Sequence, residues 1–343
     1  MRNKTLLIAT LVLGLVAFLA VRLTREAPQA EAAAKPLFAA TLLEGAKSLT
    51  IKANNKSVTV EKSADGWTVK EKLSLPADVE NRLLPLIRGL QKAKDLGDLT
   101  ANPKRLEKLG LDDSSVTLNG DGGPPVTIQF GKPTEDGVGA SARRAGQTPA
   151  IRTDFTAYLE GDPLSWVDLT LFTAQPSEIK AIEFEWADGK AAFSRNELGS
   201  LFAGKEGPAV EDIVAAVATI RAADAVAADD PAAVKAARSA QVKLTLYSGA
   251  SVSLLFSKLA GATPNDAGRT FVRVEHSDPK HKANAISKKA AFVAAPWLAE
   301  QVPGSLAAFQ KSLQQPVAEP TAPAIQIPGP SPTIITSPEI KLK

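Results

Sequence analysis

Few residue types in this chain could do chemistry, since its 343 residues include two histidines and no cysteine. The lack of cysteine excludes a disulfide framework, a thiolate nucleophile and a cysteine-ligated zinc or iron–sulfur site. Both histidines lie in the segment His276-Ser-Asp278-Pro-Lys-His281, where two imidazoles and a carboxylate could bind a divalent metal. The nearby cations Lys280, Lys282 and Arg273 oppose a metal, so we expect a solvated loop with no metal or cofactor.

Two glutamates form a second arrangement with chemical potential. Glu183 and Glu185 flank Phe184, so the alternation of a strand directs both carboxylates to the same face. Paired carboxylates can carry out acid–base work on glycosides. The run Ile182-Glu-Phe-Glu-Trp186 is also typical of a strand with one buried and one wet face, and we favour this structural interpretation.

Arginines and tryptophans offer weaker signals for ligand binding. Arg143 and Arg144 could meet an anionic lipid or polymer, but adjacent arginines are typical of a hairpin tip, which we expect here. Tryptophans can stack on sugars, yet positions beside turns or at repeated sites favour core packing. The tryptophans are Trp67, Trp166, Trp186 and Trp297.

No motif in the chain names a reaction. Ser251 and Ser253 do not form a nucleophile elbow, and residues 120–123 match neither a phosphate loop nor a dinucleotide-binding turn. The 40 Lys and Arg residues nearly balance the 37 Asp and Glu residues, so no basic field favours nucleic acid. We therefore expect a protein that is not an enzyme, with no catalytic, cofactor-binding or metal-binding residues and no nucleic-acid partner.

An apolar segment near the N-terminus would place any binding surface of the protein next to a membrane. Residues 5–21 carry no charge and would span about 25 Å as a helix, which suits the thickness of a bilayer core. A cleaved signal peptide is the alternative, but its apolar region is usually shorter and is followed closely by a small-residue cleavage site. We expect an uncleaved transmembrane anchor over residues 1–25, with membrane as a partner and the large domain exported.

Polar segments flank the central part of the chain. Residues 26–36 are rich in alanine and charge, which is typical of a tether. Residues 316–338 hold seven of the 24 prolines, which predicts a disordered tail over residues 313–343. The alternative for this tail is a partner-docking strand at residues 333–336, because β-branched residues suit edge pairing.

The central part of the chain reads as a tandem repeat. Alternating strands near Ile51 and Val60 recur near Phe184 and Phe193 at an offset of 133 residues. A following hairpin recurs at a constant offset of 126 residues. Its residues Val116, Leu118, Val126, Ile128, Phe130 and Lys132 correspond to Val242, Leu244, Val252, Leu254, Phe256 and Lys258.

The repeat predicts the fold class. An apolar stripe at helical spacing follows each strand pair, with Asp78 and Pro208 as helix starts. Near the end of each copy the alignment pairs Ile151, Phe155 and Trp166 with Ile286, Phe292 and Trp297. We predict an α+β protein in which an N-terminal transmembrane helix precedes two duplicated modules, residues 37–172 and 173–312, of antiparallel sheet packed with helices.

Short motifs in the first module also resemble a known family. They are Gly66-Trp67, Pro76-Ala77-Asp78, Leu109-Gly110-Leu111-Asp112 and Phe130-Gly131-Lys132. With the apolar N-terminal segment, they resemble the bacterial family described as domain of unknown function 4340, over residues 1–310. Members of that family often accompany ABC-type exporters with a gliding-motility-type auxiliary subunit. The resemblance implies an envelope accessory role, with a transporter permease or auxiliary subunit as partner. Together with the expected N-terminal anchor, it indicates an inner-membrane location with most of the chain in the periplasm.

These observations lead to two hypotheses. The first is a non-catalytic, membrane-anchored envelope protein that acts as an accessory or adaptor for an ABC-type export system. The second is a periplasmic protein that binds lipid or glycan in a cleft between the repeats.

Overall fold

Antiparallel pairing of short, alternating strands builds most of this molecule. The computed structural model describes residues 34–314, except residues 121–122, 135–136, 138, 157, 262, 264–265 and 267. Within that part of the chain, all strand pairs are antiparallel and fall into a sheet of ten strands and a sheet of eight.

The first sheet contains the strands from the first part of the chain. They are β1 (Lys35–Pro36), β2 (Ala46–Ala53), β3 (Lys56–Ser63), β4 (Gly66–Val69), β5 (Leu75–Pro76), β6 (Lys94–Thr100), β7 (Ser114–Gly120), β8 (Val126–Pro133), β9 (Ala140–Arg144) and β10 (Ala150–Thr153). Their spatial order is β1-β6-β10-β9-β8-β7-β2-β3-β4-β5. Asn54 and Asn55 adopt positive φ between β2 and β3, as a tight hairpin turn requires.

The second sheet contains the remaining strands. They are β11 (Thr170–Thr173), β12 (Ile179–Trp186), β13 (Gly189–Ser194), β14 (Thr219–Ala227), β15 (Ala237–Leu246), β16 (Ser251–Leu259), β17 (Arg269–His276) and β18 (Ala290–Ala294). Their spatial order is β11-β14-β18-β17-β16-β15-β12-β13.

The helices are short and lie between strands or at the end of the described chain. They are α1 (Ala40–Glu44), α2 (Leu84–Lys92), α3 (Pro103–Leu106), α4 (Gly207–Val217), α5 (Pro231–Lys235), α6 (Lys282–Lys289), α7 (Pro296–Gln301) and α8 (Leu306–Gln314). A π-helical segment, Val79–Leu83, leads into α2, and 3-10 turns occupy Glu107–Leu109, Pro163–Trp166 and Pro176–Glu178. The Asp78 side chain accepts a hydrogen bond from the Asn81 N–H at the start of the π-helical segment.

The two sheets have the same strand order. Counted across each sheet from the edge strands β1 and β11, the corresponding strands form the pairs β1/β11, β6/β14, β10/β18, β9/β17, β8/β16, β7/β15, β2/β12 and β3/β13. The first sheet then continues with β4 and β5, whereas the second, as far as residues 34–314 describe it, ends at β13. We call the part of the chain around each sheet a module.

The strand register repeats along with the order. Ile51 pairs with Val116 in the first sheet, and Phe184 pairs with Val242 in the second. These pairs show the 133-residue and 126-residue offsets of the sequence pattern. Alternation therefore directs equivalent side chains into the core of each module.

The repeat diverges towards the end of each module. Ile151 lies on β10 and Phe292 on the corresponding strand β18, so Phe292 is its counterpart. Ile286, which the sequence alignment placed there, lies on α6. That alignment was wrong because α6 is inserted between β17 and β18, whereas no helix occupies the described residues between β9 and β10.

The buried apolar side chains of both modules form one continuous cluster. Helix α8 contributes Phe309, whose ring lies 5.6 Å from Phe184 and 5.6 Å from Trp186 between centroids. The Trp186 indole N–H donates a hydrogen bond to the Pro303 carbonyl at 2.6 Å. Of the other tryptophans, Trp166 is also buried, but Trp297 is 48% exposed and does not fit the expected core packing.

The segment between the two sheets contacts both modules. The Asp78 N–H donates to the Trp166 carbonyl at 2.7 Å, and the Asp168 N–H donates to the Pro76 carbonyl at 2.8 Å. On the other side, the Lys282 ammonium lies 2.8 Å from the Asp168 carboxylate. The linking segment is therefore fastened to the first sheet by its backbone and to α6 by a side chain.

The predicted fold class is wrong. The described chain is mostly antiparallel sheet with few, short helices, because strand pairing and not helix packing covers most of the core. No helix among the described residues is long and apolar enough to cross a membrane. Residues 1–25, on which the predicted transmembrane helix fell, lie outside the described residues, so that helix has no support in the fold.

Other segments named in the sequence analysis also fall outside the description. They are most of the tether at residues 26–36, nearly all of the tail at residues 313–343, and the possible docking strand at residues 333–336.

Candidate functional site

The histidine segment forms an ordered loop at the start of α6. The His276 and His281 rings stack with centroids 4.1 Å apart. Each Nδ1 accepts a backbone hydrogen bond, from Asp278 N–H at 2.9 Å and from Ala283 N–H at 3.2 Å. No group of three or more histidine, aspartate or glutamate side chains within the described residues could hold a metal ion. The loop therefore caps a helix.

The two glutamates of β12 lie in a ladder of opposite charges. Glu183 lies 3.7 Å from the Lys243 ammonium, and Glu185 lies 3.5 Å from Lys190 and 3.8 Å from Arg238. These ion pairs connect neighbouring strands on the solvent-exposed face of the second sheet, beside a cavity of about 290 Å³. The arrangement balances charge across the sheet.

The adjacent arginines of β9 hold neighbouring strands together. The Arg143 Nε donates to Gln129 Oε1 at 2.9 Å, and its guanidinium lies 3.1 Å from the Asp112 carboxylate. The Arg144 guanidinium donates to the Leu37 carbonyl at 2.8 Å. Both arginines thus have partners within the first module.

The outer edge of β13 differs from the corresponding edge of β3. In the first module the Lys70 N–H donates to the Thr59 carbonyl at 2.9 Å, and β4 pairs with the end of β3. Thr59 corresponds to Ala192 in the second module. Just after β13, the Arg195 N–H donates to the Lys180 carbonyl at 2.8 Å. The backbone groups of Arg195, and of every second residue before it, therefore face β12.

The other residues of β13, which alternate with those that face β12, direct their backbone groups away from it. These residues are Lys190, Ala192 and Ser194. Their outward N–H and C=O groups meet no hydrogen-bond partner in the portion of the chain that is described. We call this row of groups the β13 edge.

A second open feature is a cavity of about 610 Å³ in the first module, which we call the basic pocket. Its lining comes from β6, α3, the following 3-10 turn, β8, β9 and β10. The residues are Leu99, Thr100, Arg105, Lys108, Leu109, Lys132, Pro133, Thr134, Ser141 and Arg152. Four of them are cations and none is a carboxylate.

Local structure explains how the cations of the basic pocket come together. The Asn102 side chain caps α3 by accepting from the Lys104 N–H at 3.0 Å, and Gly110 ends the next turn with a φ of 66°. Arg105 and Lys108, three residues apart, therefore lie on one face of a helical segment. Glycine at position 131 lets this segment rest on β8, since a Cβ there would lie 2.3 Å from the Leu109 carbonyl oxygen.

The basic pocket has no clear signal in the sequence. Its cations lie far apart along the chain, and only the pair Arg105 and Lys108 has a spacing that could have signalled a shared face. Two short motifs, Leu109-Gly110-Leu111-Asp112 and Phe130-Gly131-Lys132, meet at this pocket. As sequence, these motifs indicate a family resemblance and not a pocket.

That resemblance is confirmed by a direct comparison. A family model described as a domain of unknown function, DUF4340, matches residues 67–238. The chain belongs to this family. No curated protein and no solved structure is significantly similar to the chain.

The DUF4340 match is shorter than the stretch of residues 1–310 over which the motifs were traced. It begins in β4 of the first sheet and ends in β15 of the second, so it crosses the linking segment. The match includes the basic pocket and all of β13. Both open features therefore lie in the part of the chain that matches the family model.

Proposed function

We propose that this DUF4340 protein is a non-catalytic accessory protein, an adaptor that docks an extended segment of a partner protein on the β13 edge. The observation that carries the proposal is the difference between the edges of β3 and β13, which occupy corresponding positions in the two modules. In the duplicate module the end of the same edge pairs with β4, so the fold accepts a further strand along this side of the sheet. An added strand gains main-chain hydrogen bonds, and its alternate side chains provide specificity.

The charge ladder beside β13 supports a protein segment as the occupant. Glu183, Glu185 and Lys243 line the neighbouring cavity together with Lys190 of the edge itself. Both signs of charge are present, so a segment with alternating charged side chains would complement this surface. The family resemblance implies that the segment belongs to an ABC-type exporter permease or its auxiliary subunit, in the envelope of a bacterium.

The first prediction tests the β13 edge by removing one hydrogen-bond donor. Ala192→Pro deletes an outward N–H but none of the hydrogen bonds between β12 and β13, so we expect a melting temperature within a few degrees of wild type. Ala192→Ser keeps the N–H and is the matched control. Each protein would be cross-linked in solubilised membranes of its source cells, and captured proteins identified by mass spectrometry.

We expect wild type and Ala192→Ser to capture a transporter permease or auxiliary subunit, and Ala192→Pro to lose it. Equal capture by Ala192→Pro would exclude the β13 edge as the docking site. Capture of no transporter component by wild type would overturn the adaptor function.

The second candidate is a binding protein for a lipid or glycan, and the basic pocket favours it. Its volume is in the range of small-molecule sites, and its walls combine apolar and polar groups. This pocket belongs to the first module alone, whereas the hypothesis from the sequence places a ligand in a cleft between the repeats.

A further inference from the structure

Positive charge without carboxylate partners is the main property of the basic pocket. Arg105, Lys108 and Lys132 are exposed, and none forms an ion pair within the described residues. Arg152 and Thr134 are engaged in other contacts, so the three remaining cations carry the site. Like charges that line one pocket repel one another, and an anion relieves that repulsion.

The same pocket also offers apolar surface. Leu99 is 39% exposed on β6, and Leu109 and Pro133 contribute further carbon surface to the lining. A cavity of about 610 Å³ is far larger than a single phosphate or carboxylate group needs. The lining therefore suits a ligand that carries an apolar part next to its charge.

The pocket walls are held in place by tight backbone packing. Ser141 is 1% exposed, and its hydroxyl donates to the Lys132 carbonyl at 3.2 Å. A Cβ at Gly131 would lie 2.4 Å from the Ser141 Oγ, so β8, β9 and the turn after α3 meet closely here. Lys132 thus extends from a fixed strand and lines the same pocket as Arg105 and Lys108.

We propose that the basic pocket binds an amphiphile with a phosphate headgroup, such as an anionic phospholipid. Arg105, Lys108 and Lys132 hold the phosphate through charge-assisted hydrogen bonds, and the apolar chain lies on Leu99 and Leu109. This inference rests on the ligand-binding candidate function and is independent of the adaptor function.

Titration calorimetry on the full chain tests the inference with three probes. They are monomeric short-chain phosphatidylglycerol, phosphatidylcholine with the same chains, and inorganic phosphate. We expect phosphatidylglycerol to bind at least about tenfold more tightly than the other two, since only it combines net negative charge with an apolar chain. Its affinity should fall as salt increases.

Variants then locate the site. In Arg105→Gln/Lys108→Gln the affinity for phosphatidylglycerol should fall about tenfold for each cation removed. Lys104→Gln removes an exposed neighbouring cation that does not line the pocket and should bind as wild type does. All three altered positions are exposed, so the melting temperatures should agree.

The outcomes distinguish a failure of the phospholipid site from a failure of the ligand-binding function itself. Equal affinity for phosphate and phosphatidylglycerol would show a free-phosphate site and overturn the amphiphile. Equal affinity for both lipids would overturn the role of the charge. Binding that the double variant leaves unchanged would move the ligand to another site while keeping the ligand-binding function. Binding of no probe would overturn both.

Discussion

At the scale of single residues, a buried arginine fixes the loop that connects β13 to α4 in the second module. The Arg195 side chain is 3% exposed and donates hydrogen bonds to the Glu211 carboxylate and, at 2.7 Å, to the Pro176 carbonyl. Its guanidinium lies 4.5 Å from the centre of the Phe202 ring. The Glu211 carboxylate also accepts from the Phe202 N–H at 2.8 Å. One ion pair therefore ties β13, the loop and α4 together.

The second prediction concerns this ion pair. Glu211→Ala leaves the Arg195 charge buried without its partner, so the free energy of unfolding should fall by about 3 kcal/mol. Urea denaturation followed by circular dichroism measures this change.

A double variant and a surface variant are the controls for that experiment. Arg195→Met/Glu211→Leu replaces the pair by apolar side chains and should recover most of the loss. Glu197→Gln changes an exposed carboxylate and should leave stability nearly unchanged. A stability of Glu211→Ala equal to that of wild type would mean that the pair does not hold the loop.

At the scale of elements, the start of α6 depends on an imidazole acceptor. His281 Nδ1 accepts from the Ala283 N–H, so a proton on that nitrogen abolishes the cap. Burial lowers the pKa of His281, and the nearby His276 and Lys282 lower it further. The neutral ring is thus the form that suits the fold.

The third prediction follows from this pKa shift. A lowered pKa in the folded state means that stability is fully present above the unfolded pKa, about 6.5, and is lost as pH falls through the folded pKa. His281→Asn keeps an acceptor that does not titrate, so its stability should fall less as the pH drops below about 6.5. Urea denaturation across this pH range measures both proteins. Parallel curves for the two would exclude His281 as the titrating cap.

Elements differ in how far sequence alone predicts them. The β7–β8 and β15–β16 hairpins were readable because alternation and turn residues are local signals, and Val116 and Val242 indeed occupy equivalent positions. The sequence pattern predicts too much helix because the apolar stripe of the second module, Ile213 to Ile220, runs past the end of α4. Its last residue, Ile220, lies on β14. Alternation and helical periodicity overlap in such short apolar runs.

At the scale of the whole molecule, two ion pairs join the modules. The Lys72 ammonium lies 2.8 Å from the Asp224 carboxylate, and Lys282 lies 2.8 Å from Asp168. Partial burial raises the pKa of Asp168, but hydrogen bonds from Lys282 and from the Thr170 N–H outweigh it and hold that pKa below its usual value. Asp168 therefore favours the folded protein in its charged form.

The fourth prediction tests this junction. Asp168→Asn should lower the free energy of unfolding by about 1 kcal/mol at neutral pH, because the charged partner of Lys282 is lost. The wild-type contribution is present above about pH 4, the unfolded pKa of aspartate, and is lost as pH falls through the lower folded value. The difference between the proteins should therefore disappear in acid.

Urea denaturation at neutral and acid pH measures the effect. Asp112→Asn is the control, since Asp112 is 86% exposed and its ion pair with Arg143 stays within one module. A difference between Asp168→Asn and wild type that stays constant into acid would contradict the role of the Asp168 charge.

The sequence by itself determined the repeated hairpins, the family and the scarcity of reactive side chains, because each of these is written in residue types and short spacings. Only the tertiary structure decided that strand pairing dominates the fold and that the edge of β13 has no paired strand among the described residues. It alone also brought Arg105, Lys108 and Lys132 around one pocket. The physical reason is distance along the chain. An edge or a pocket is formed by segments that meet only when the sheets close, and local periodicity carries no information about which segments those are.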